Sequence, residues 1–333
     1  MVAVEPKLRS PAPARRRGRA EPERGGGPPR GRARRLRARI DWMPYWLLFP
    51  SLVLIAVLLG YPLVRLVETS FQAYGLSQLF SHKTVWNGVT NYRIILTSGA
   101  FWDSVLRSVL FTGACVGGTM GVGMGVALLL RRVNKVVRGA VSIAMVLAWA
   151  LPPISAAIVW QWLFANQYGV VDWLLTALHL GTFQNFDWTG SNPLLAFVVL
   201  TMMIVWQAVP FVALSLYAGI SQVPQELYEA ARVDGASGWE EFRRVTVPLL
   251  SPIIGLLVIL STIWDFNVFT QIWVLTQGGP NGGTETIGVY SYVEAFIATQ
   301  YGLGAAISVA SMVLVAIMSF YYVRVLIRSG EVR

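Results

Sequence analysis

A polar cluster interrupts a long apolar stretch of the chain near residue 265. Trp264, Asp265 and Asn267 lie within four residues of one another, inside a segment that is otherwise apolar from 249 to 275. An ionisable side chain within a membrane span costs about 2.5–3.5 kcal/mol on insertion scales, so it is a functional candidate by default. An indole ring stacks on the C–H face of a sugar, and carboxylate and amide oxygens accept hydrogen bonds from hydroxyl groups. The cluster therefore predicts a site inside the membrane for a hydroxyl-rich solute.

Two other apolar stretches carry a similar pairing of indole and amide. Gln207 follows Trp206, and Gln161 follows Trp160. A different interpretation is open for all of these residues, because tryptophans near the ends of spans commonly form an interfacial belt. Asp265 has a structural alternative too, as the partner of a polar group on a neighbouring helix.

The composition sets the environment of these residues. Apolar residues make up 55% of the 333 residues and charged residues only 13%, whereas soluble domains carry roughly 25% charged residues. Six stretches are long and apolar enough to cross a bilayer, and a hydrocarbon-embedded backbone must pair internally as helix. The sequence thus predicts an all-α, polytopic membrane protein with six transmembrane helices, at 45–67, 104–130, 139–164, 193–220, 249–275 and 303–327. Prolines inside these spans predict kinks or broken turns.

The basic residues predict how the chain is oriented. Residues 1–44 hold 13 of the 27 Lys and Arg residues against four acids, so the high net charge belongs to this segment and not to a nucleic-acid-binding domain. Its Arg, Pro and Gly content predicts a disordered, cytoplasmic tail that contacts solvent or anionic lipid headgroups. Lys and Arg also concentrate in the loops after spans two and four, which places both termini in the cytoplasm. A transmembrane domain at 45–327 and a short cytoplasmic end at 328–333 complete the predicted organisation.

Span two carries a regular row of small residues. Gly113, Gly117, Gly121 and Gly125 recur every four positions and so form one smooth ridge, which lets another helix approach closely. We expect this ridge to pack in the helix bundle or against a partner subunit.

The loop between spans four and five, 221–247, is polar and yet rich in helix signals. Pro224 suits a first helical position, and Gly235 suits the left-handed residue that ends a helix over 224–234. Ser237 and Glu240 form a capping box that begins a second helix, with Trp239, Phe242 and Thr246 on one face. The expected result is a helix–turn–helix knob in the cytoplasm. By spacing alone, it is equally a connector under its own bundle or a plug for a soluble partner.

A resemblance distinguishes these two interpretations. The residues Glu229-Ala230-Ala231, Asp234-Gly235-Ala236, Phe242 and Val247-Pro248-Leu249-Leu250 resemble the EAA loop of binding-protein-dependent ABC transporter permeases. A second run, 269–280 followed by Thr284-Glu285-Thr286, resembles the end of span five in maltose-type sugar permeases. The resemblance covers about residues 45–327. The first external loop is short here, so the likeness is to the compact six-span permeases and maltose itself is not carried over.

The resemblance implies a function and a set of partners. Glu229, Ala230, Ala231, Asp234 and Gly235 would contact or shape the contact with a cytoplasmic ABC ATPase dimer, with Gly235 as the hinge. A second, homologous permease subunit would complete the pathway, and an extracytoplasmic binding protein would deliver the sugar. The chain would then be the transmembrane half of an ATP-driven carbohydrate importer in a prokaryotic plasma membrane, working by alternating access. A loop at 276–302 would lie near the docked binding protein.

Several other functions have little support in the sequence. None of the three lysines ends a G-x-x-x-x-G-K-[ST] phosphate loop, so ATP would be bound by the partner subunit and we expect no cofactor or enzymatic activity here. The single cysteine, Cys115, and the two separated histidines predict no metal site. Two alternatives stay open: the same machinery for glycerol-3-phosphate or a polyol, and a stand-alone secondary transporter. The latter lacks obvious inverted repeats, and a membrane enzyme lacks a nucleophile–base pair.

Overall fold

The computed structural model describes residues 43–328 apart from 82, 84, 182 and 184, and the described elements are helices. A single antiparallel bridge joins Gln72 and Trp86 outside them. The α-helices are α1 Met43–Ile55, α2 Tyr61–Ser70, α3 Leu76–Ser81, α4 Thr90–Thr97, α5 Gly99–Arg132, α6 Lys135–Trp149, α7 Pro153–Leu163, α8 Val170–Ala177, α9 Pro193–Gln222, α10 Gln225–Val233, α11 Gly238–Glu241, α12 Val247–Phe266, α13 Thr270–Thr276, α14 Ile287–Tyr292 and α15 Tyr301–Arg328. Short π-helices at Ala56–Gly60, Phe242–Thr246 and Val293–Ile297 join neighbouring helices.

The long helices confirm the predicted class of an all-α, polytopic membrane protein. Within the described residues, five helices are long and apolar enough to cross a membrane: Trp46–Ser70, Gly99–Arg132, Pro193–Gln222, Gly238–Phe266 and Tyr301–Arg324. A sixth crossing is present if the bent pair Lys135–Trp149 and Pro153–Leu163 counts as one span. The predicted tail at 1–44 and the end at 328–333 lie almost entirely outside the described residues.

Span three is broken where its prolines predict a kink or a broken turn. Within the predicted span 139–164, α6 and α7 meet at an angle of 99°. The reason is the Pro152-Pro153 pair, because proline donates no backbone N–H and disfavours a helical conformation at the residue before it. Pro152 adopts an extended ψ of 140° and caps α7 instead of continuing α6.

Span five differs from the single span that was predicted over 249–275. Its helix ends at Phe266, and α13 begins only at Thr270. The Asn267 backbone is non-helical, and its side-chain Nδ2 donates to the Ile263 carbonyl oxygen at 2.7 Å. This local bond competes with the helical hydrogen bonds of the backbone and favours termination. At its N-terminal end, the helix continues through the π-helix Phe242–Thr246 into α11, so that Gly238–Phe266 is one continuous helix.

The core forms where α5 and α9 approach closely. A Cβ atom built on Gly118 would lie 2.8 Å from Val205 Cγ2, and one on Gly123 would lie 2.7 Å from Val212 Cγ1. These two glycines, and not the predicted ridge, allow the close approach. The ridge itself contacts no other part of the described chain, since a Cβ built on any of its four glycines meets nothing within 4 Å. Of the two packing partners that we predicted for the ridge, the described part of this chain is therefore not one, and packing against a partner subunit stays a prediction.

Candidate translocation site and cytoplasmic knob

A cavity of about 440 Å³ lies where the two broken spans meet α9. The bend between α6 and α7 forms one wall, α9 a second, and the break between α12 and α13 a third. Discontinuous helices of this kind line substrate sites in transporters, because the unwound backbone exposes polar groups within the membrane. The residues around the cavity are Trp149, Leu151, Pro153, Ile204, Gln207, Ala208, Trp264, Asp265, Asn267, Val268, Phe269, Thr270 and Gln271.

Four of the five predicted pathway residues line this cavity, namely Gln207, Trp264, Asp265 and Asn267. The fifth, Trp206, does not line it, because the next residue on a helix points about 100° away. Its ring lies 6.1 Å from that of Trp160.

Two glutamines bridge the cavity walls. Gln271 Nε2 donates to Gln207 Oε1 at 3.2 Å, and Gln207 Nε2 donates to the Leu151 carbonyl oxygen at 3.2 Å. Leu151 lies at the bend in span three, where its carbonyl has no helical donor available. Gln271 was not among the predicted site residues, although its polarity directly after the interruption of span five was a signal for it.

Three aromatic rings pack in a row beside these amides, and the two outer ones, Trp149 and Trp264, line the cavity. The Trp149 and Phe211 rings stack with centroids 5.7 Å apart, and the Phe211 and Trp264 centroids lie 5.5 Å apart. The row thus continues from span three to span five across α9. Its flat surfaces suit the C–H face of a sugar ring, whereas the amides suit hydroxyl groups.

Asp265 is the ionisable residue of the cavity and is only 5% exposed. Its Oδ2 atom is buried and has no hydrogen-bond partner in the part of the chain that the structure describes. Leaving a buried acceptor unpaired costs about 1–3 kcal/mol, and more for a charged group. This buried acceptor, on a residue of the cavity wall, therefore lacks a donor, which the described chain does not supply.

The knob between spans four and five consists of α10 and α11. Helix α10 begins at Gln225, so Pro224 is its N-cap and not, as predicted, its first helical residue. Gly235 has φ +83°, as predicted for the left-handed residue after the helix. The capping box of Ser237 and Glu240 is confirmed, with both reciprocal hydrogen bonds present.

Hydrogen bonds and ion pairs hold the surface of the knob. Arg232 Nε donates to Glu241 Oε1 at 2.7 Å and links the two helices. This bond lowers the pKa of Glu241. The backbone and side-chain hydrogen bonds of Ser237 lower the pKa of Glu240. Both carboxylates are thus stabilised in their charged form.

Much of the remaining surface of the knob is exposed. Glu229, Ala230, Asp234 and Gly235 are exposed, and Ala231 is half-buried. Apolar side chains protrude beside them: Val233 is 89% exposed and Trp239 67%. The Trp239 ring contacts Phe242 at a centroid distance of 5.3 Å, as the predicted shared face requires.

Tyr228 anchors the knob to the bundle. It is 1% exposed, and its hydroxyl group shares a hydrogen bond of 3.2 Å with Thr246 Oγ1. The Arg131 guanidinium at the end of α5 lies 3.9 Å from the ring centroid. Cation–π contacts contribute about 0.5–1 kcal/mol at exposed sites and about 2 kcal/mol or more when desolvated.

On the opposite end of α5, Arg107 holds the loop after α13. Its Nη1 atom donates to the carbonyl oxygens of Gly282 at 2.5 Å and of Glu285 at 3.2 Å. One residue along, Ser108 Oγ accepts a hydrogen bond of 2.8 Å from the Ile287 backbone N–H. Burial raises the pKa of Glu285, and the nearby Arg107 partly offsets this.

The sequence profile of the binding-protein-dependent transport system inner membrane component matches residues 117–329. The chain belongs to this family. The matched region contains the knob and all the residues around the cavity. The five or six helical segments that are long and apolar enough to cross a membrane, among the described residues, agree with an inner membrane component.

The permease is also similar to named permeases of sugar transport systems. It is 42% identical over 307 residues to the diacetylchitobiose uptake system permease protein DasB of Streptomyces coelicolor, covering 92% of this chain and 93% of that one. It is 33% identical over 291 residues to the trehalose/maltose transport system permease protein MalF of Thermococcus litoralis, covering 87% and 96%. The fold of the permease matches a chain of the crystal structure of a bacterial ABC transporter for import of the acidic polysaccharide alginate. That match has a TM-score of 0.73 and 22% identity, covering 86% and 96%.

Proposed function

We propose that the chain is the transmembrane subunit of an ATP-driven carbohydrate importer and forms half of its translocation pathway. The observation that carries this proposal is the cavity at the two broken spans, with its aromatic rings, its bridging amides and its unpaired carboxylate oxygen. Relatives whose names refer to diacetylchitobiose and to trehalose and maltose support a sugar as the solute.

The charge of the cavity narrows the class of sugar. Among the described residues, its lining contains one carboxylate and no lysine, arginine or histidine. A phosphate or uronate group would meet an acid with no compensating cation, and like charges in a low-dielectric site repel strongly. A neutral oligosaccharide with hydroxyl or amide N–H donors instead satisfies the free oxygen of Asp265. The site thus favours neutral sugars over glycerol-3-phosphate.

The knob would seat in the cytoplasmic ATPase dimer. Glu229, Ala230, Asp234 and Gly235 are exposed beside the half-buried Ala231, and small side chains permit the close approach of a partner. Since the helix Gly238–Phe266 runs from the knob to the cavity, a movement of the knob during ATP binding would reach Trp264 and Asp265 directly. ATP would be bound and hydrolysed by that partner, and a second permease would close the open side of the pathway.

Purification of the tagged chain from native membranes in mild detergent tests this function. We expect an ATPase, a second permease and an exported binding protein to be identified by mass spectrometry. That binding protein is then screened against N,N′-diacetylchitobiose, trehalose, maltose and glycerol-3-phosphate. Recovery of the chain alone, under conditions that preserve other membrane complexes, would instead indicate a stand-alone carrier whose knob is an internal connector. Tight binding of the phosphate ester would overturn the neutral-sugar assignment.

A further inference from the structure

Helix α5 contacts functional segments at both of its ends. Near its first residues, Arg107 and Ser108 hold the loop 277–286 and the start of α14. At its last turn, Arg131 holds α10 of the knob. The stretch between the two arginines corresponds to about 36 Å of helix at 1.5 Å per residue. That is slightly more than the thickness of a bilayer's hydrocarbon core, about 30 Å.

Arg131, in the last turn of α5, makes two contacts with the knob. The Arg131 guanidinium lies 3.9 Å from the centroid of the Tyr228 ring, and its Nη2 atom donates to Gln225 Oε1 at 3.3 Å. Arg138 reinforces the end of α5, since its Nε and Nη2 atoms each donate at 2.9 Å to the carbonyl oxygens of Leu130 and Val133. The last turn of α5 is therefore held both to the knob and to its own following loop.

The contact of Arg131 with the knob matters because the two covalent connections of the knob differ in backbone conformation. Towards span four, Val223 and Pro224 are extended, with ψ of 124° and 133°, so that helix α9 does not continue into α10. Towards span five, the backbone is helical without interruption from Gly238 to Phe266. The knob thus continues as helix into span five, is joined to span four through two extended residues, and contacts span two through side chains.

The outer contact is equally specific. Arg107 donates to two carbonyl oxygens of one loop, those of Gly282 and Glu285. The loop is internally braced, because Thr284 Oγ1 donates to the Gly279 carbonyl oxygen at 2.7 Å and shares a 2.8 Å hydrogen bond with Thr276 Oγ1. A displacement of α5 would therefore move the loop as a unit rather than deform it.

We infer that α5 is a connecting rod that moves the outer loop 277–286 together with the knob, with Arg131 and Arg107 as the positioning residues at its two ends. The inference rests on the proposed function, since the knob moves only if an ATPase binds it. Close packing of Gly118 and Gly123 against α9 keeps the rod in register with span four. The loop would in this way report the nucleotide state of the cytoplasmic side to a binding protein outside.

Hydrogen–deuterium exchange of the complex purified through the tagged chain, in lipid nanodiscs, tests the rod. The nucleotide probe is the non-hydrolysable ATP analogue AMP-PNP with Mg²⁺, and peptides from the knob and from loop 277–286 are compared with and without it. In the wild type we expect both regions to respond. In Arg131→Ala, the knob should still respond, whereas the loop response should fall by about fivefold or more, at the lower end of typical coupling factors.

Controls separate the rod from its alternatives. Arg132→Ala removes the neighbouring, exposed arginine and should leave both responses at wild-type level. Arg107→Ala should also remove the loop response, and the double variant should lose no more than either single variant, because the two residues act in series. If Arg131→Ala prevents assembly, Arg131→Lys keeps the charge without the planar stacking group and should reduce the loop response while the knob responds normally.

The outcomes also distinguish this inference from the proposed function. A loop that responds fully in Arg131→Ala or Arg131→Lys, or does not respond in the wild type while the knob does, overturns the rod. A wild-type complex without an ATPase, or with a knob that ignores AMP-PNP, overturns the proposed function instead.

Discussion

The knob and the membrane cavity satisfy their polar groups in opposite ways. In the knob, Ser237, Glu240, Arg232 and Glu241 are paired with one another within two short helices. In the cavity, two glutamines are paired across helices, but Asp265 Oδ2 has no partner among the described residues. A surface whose polar groups are paired within itself keeps its shape as a partner docks. A site with an unpaired acceptor is stabilised only when a ligand supplies the missing hydrogen-bond donor. The difference supports the roles proposed above, docking for the knob and solute recognition for the cavity.

Asp265→Ala should separate the two regions most clearly. Uptake should fall by about tenfold or more, the equivalent of one hydrogen bond to a charged group, while the thermal stability should not decrease, because Oδ2 has no partner to lose. Transport assays in whole cells and melting curves of the purified chain measure the two effects. Asp103→Ala, at an exposed position, is the matched control. Unchanged uptake kinetics would remove Asp265 from the pathway.

Gly235→Val should damage the knob and leave the cavity intact. The position requires φ +83°, which costs an L residue roughly 1–2 kcal/mol and a β-branched one more. Space is not the cause, since a Cβ there meets nothing within 4 Å. We expect about a tenfold loss of co-purified ATPase. Gly139→Val, at a helical glycine that is equally open, should retain the ATPase; equal losses in both variants would exclude the backbone explanation.

Tyr228→Phe tests how the knob is anchored. The variant keeps the ring under Arg131 and removes the hydroxyl group, leaving the buried Thr246 Oγ1 without that partner. We expect a loss of about 0.5–1.5 kcal/mol in the free energy of unfolding, measured as a lower melting temperature. Tyr168→Phe, at an exposed tyrosine, should not change the melting temperature, and a neutral Tyr228→Phe would show that the hydroxyl pair contributes nothing.

The smallest effect concerns the pH dependence of the knob. Its hydrogen bond to Arg232 lowers the pKa of Glu241 in the folded state, so the contribution to stability is present above the ordinary carboxylate pKa and is lost as the pH falls through the lowered value. The melting temperature of the wild type should exceed that of Glu241→Gln at pH 7, and the difference should close on acidification. A difference that is independent of pH would contradict the ionic explanation.

Local signals were sufficient to predict the knob, but not the cavity. The capping box at Ser237 and the left-handed Gly235 depend on residues a few positions away, so the sequence contains their cause. The cavity depends on the 99° bend after Trp149. The prolines indicated a break there, but not its angle, nor that the freed Leu151 carbonyl would meet Gln207.

The glycine ridge of span two also shows that the sequence predicts a local feature but not its tertiary contacts. Its four-residue spacing correctly describes a smooth helix face, but the face that packs on α9 is decided by tertiary contacts. Gly118 and Gly123, which fall outside the regular spacing, make those contacts. Asp265 and Asn267 were recognisable because a polar residue in an apolar span is conspicuous in any tertiary arrangement.

The uninterrupted helix Gly238–Phe266 fixes the directions in which the side chains along it point relative to one another. Each residue of a helix turns the chain by about 100°, so the direction of the Asp265 side chain is fixed relative to the proposed docking surface around Trp239. Deleting one residue between Thr246 and Asp265 would preserve every side chain of both sites and yet rotate the carboxylate out of the cavity. Single insertions or deletions in this segment would therefore change the direction of the Asp265 side chain relative to Trp239. An insertion combined with a deletion would restore the direction that either change alone removes.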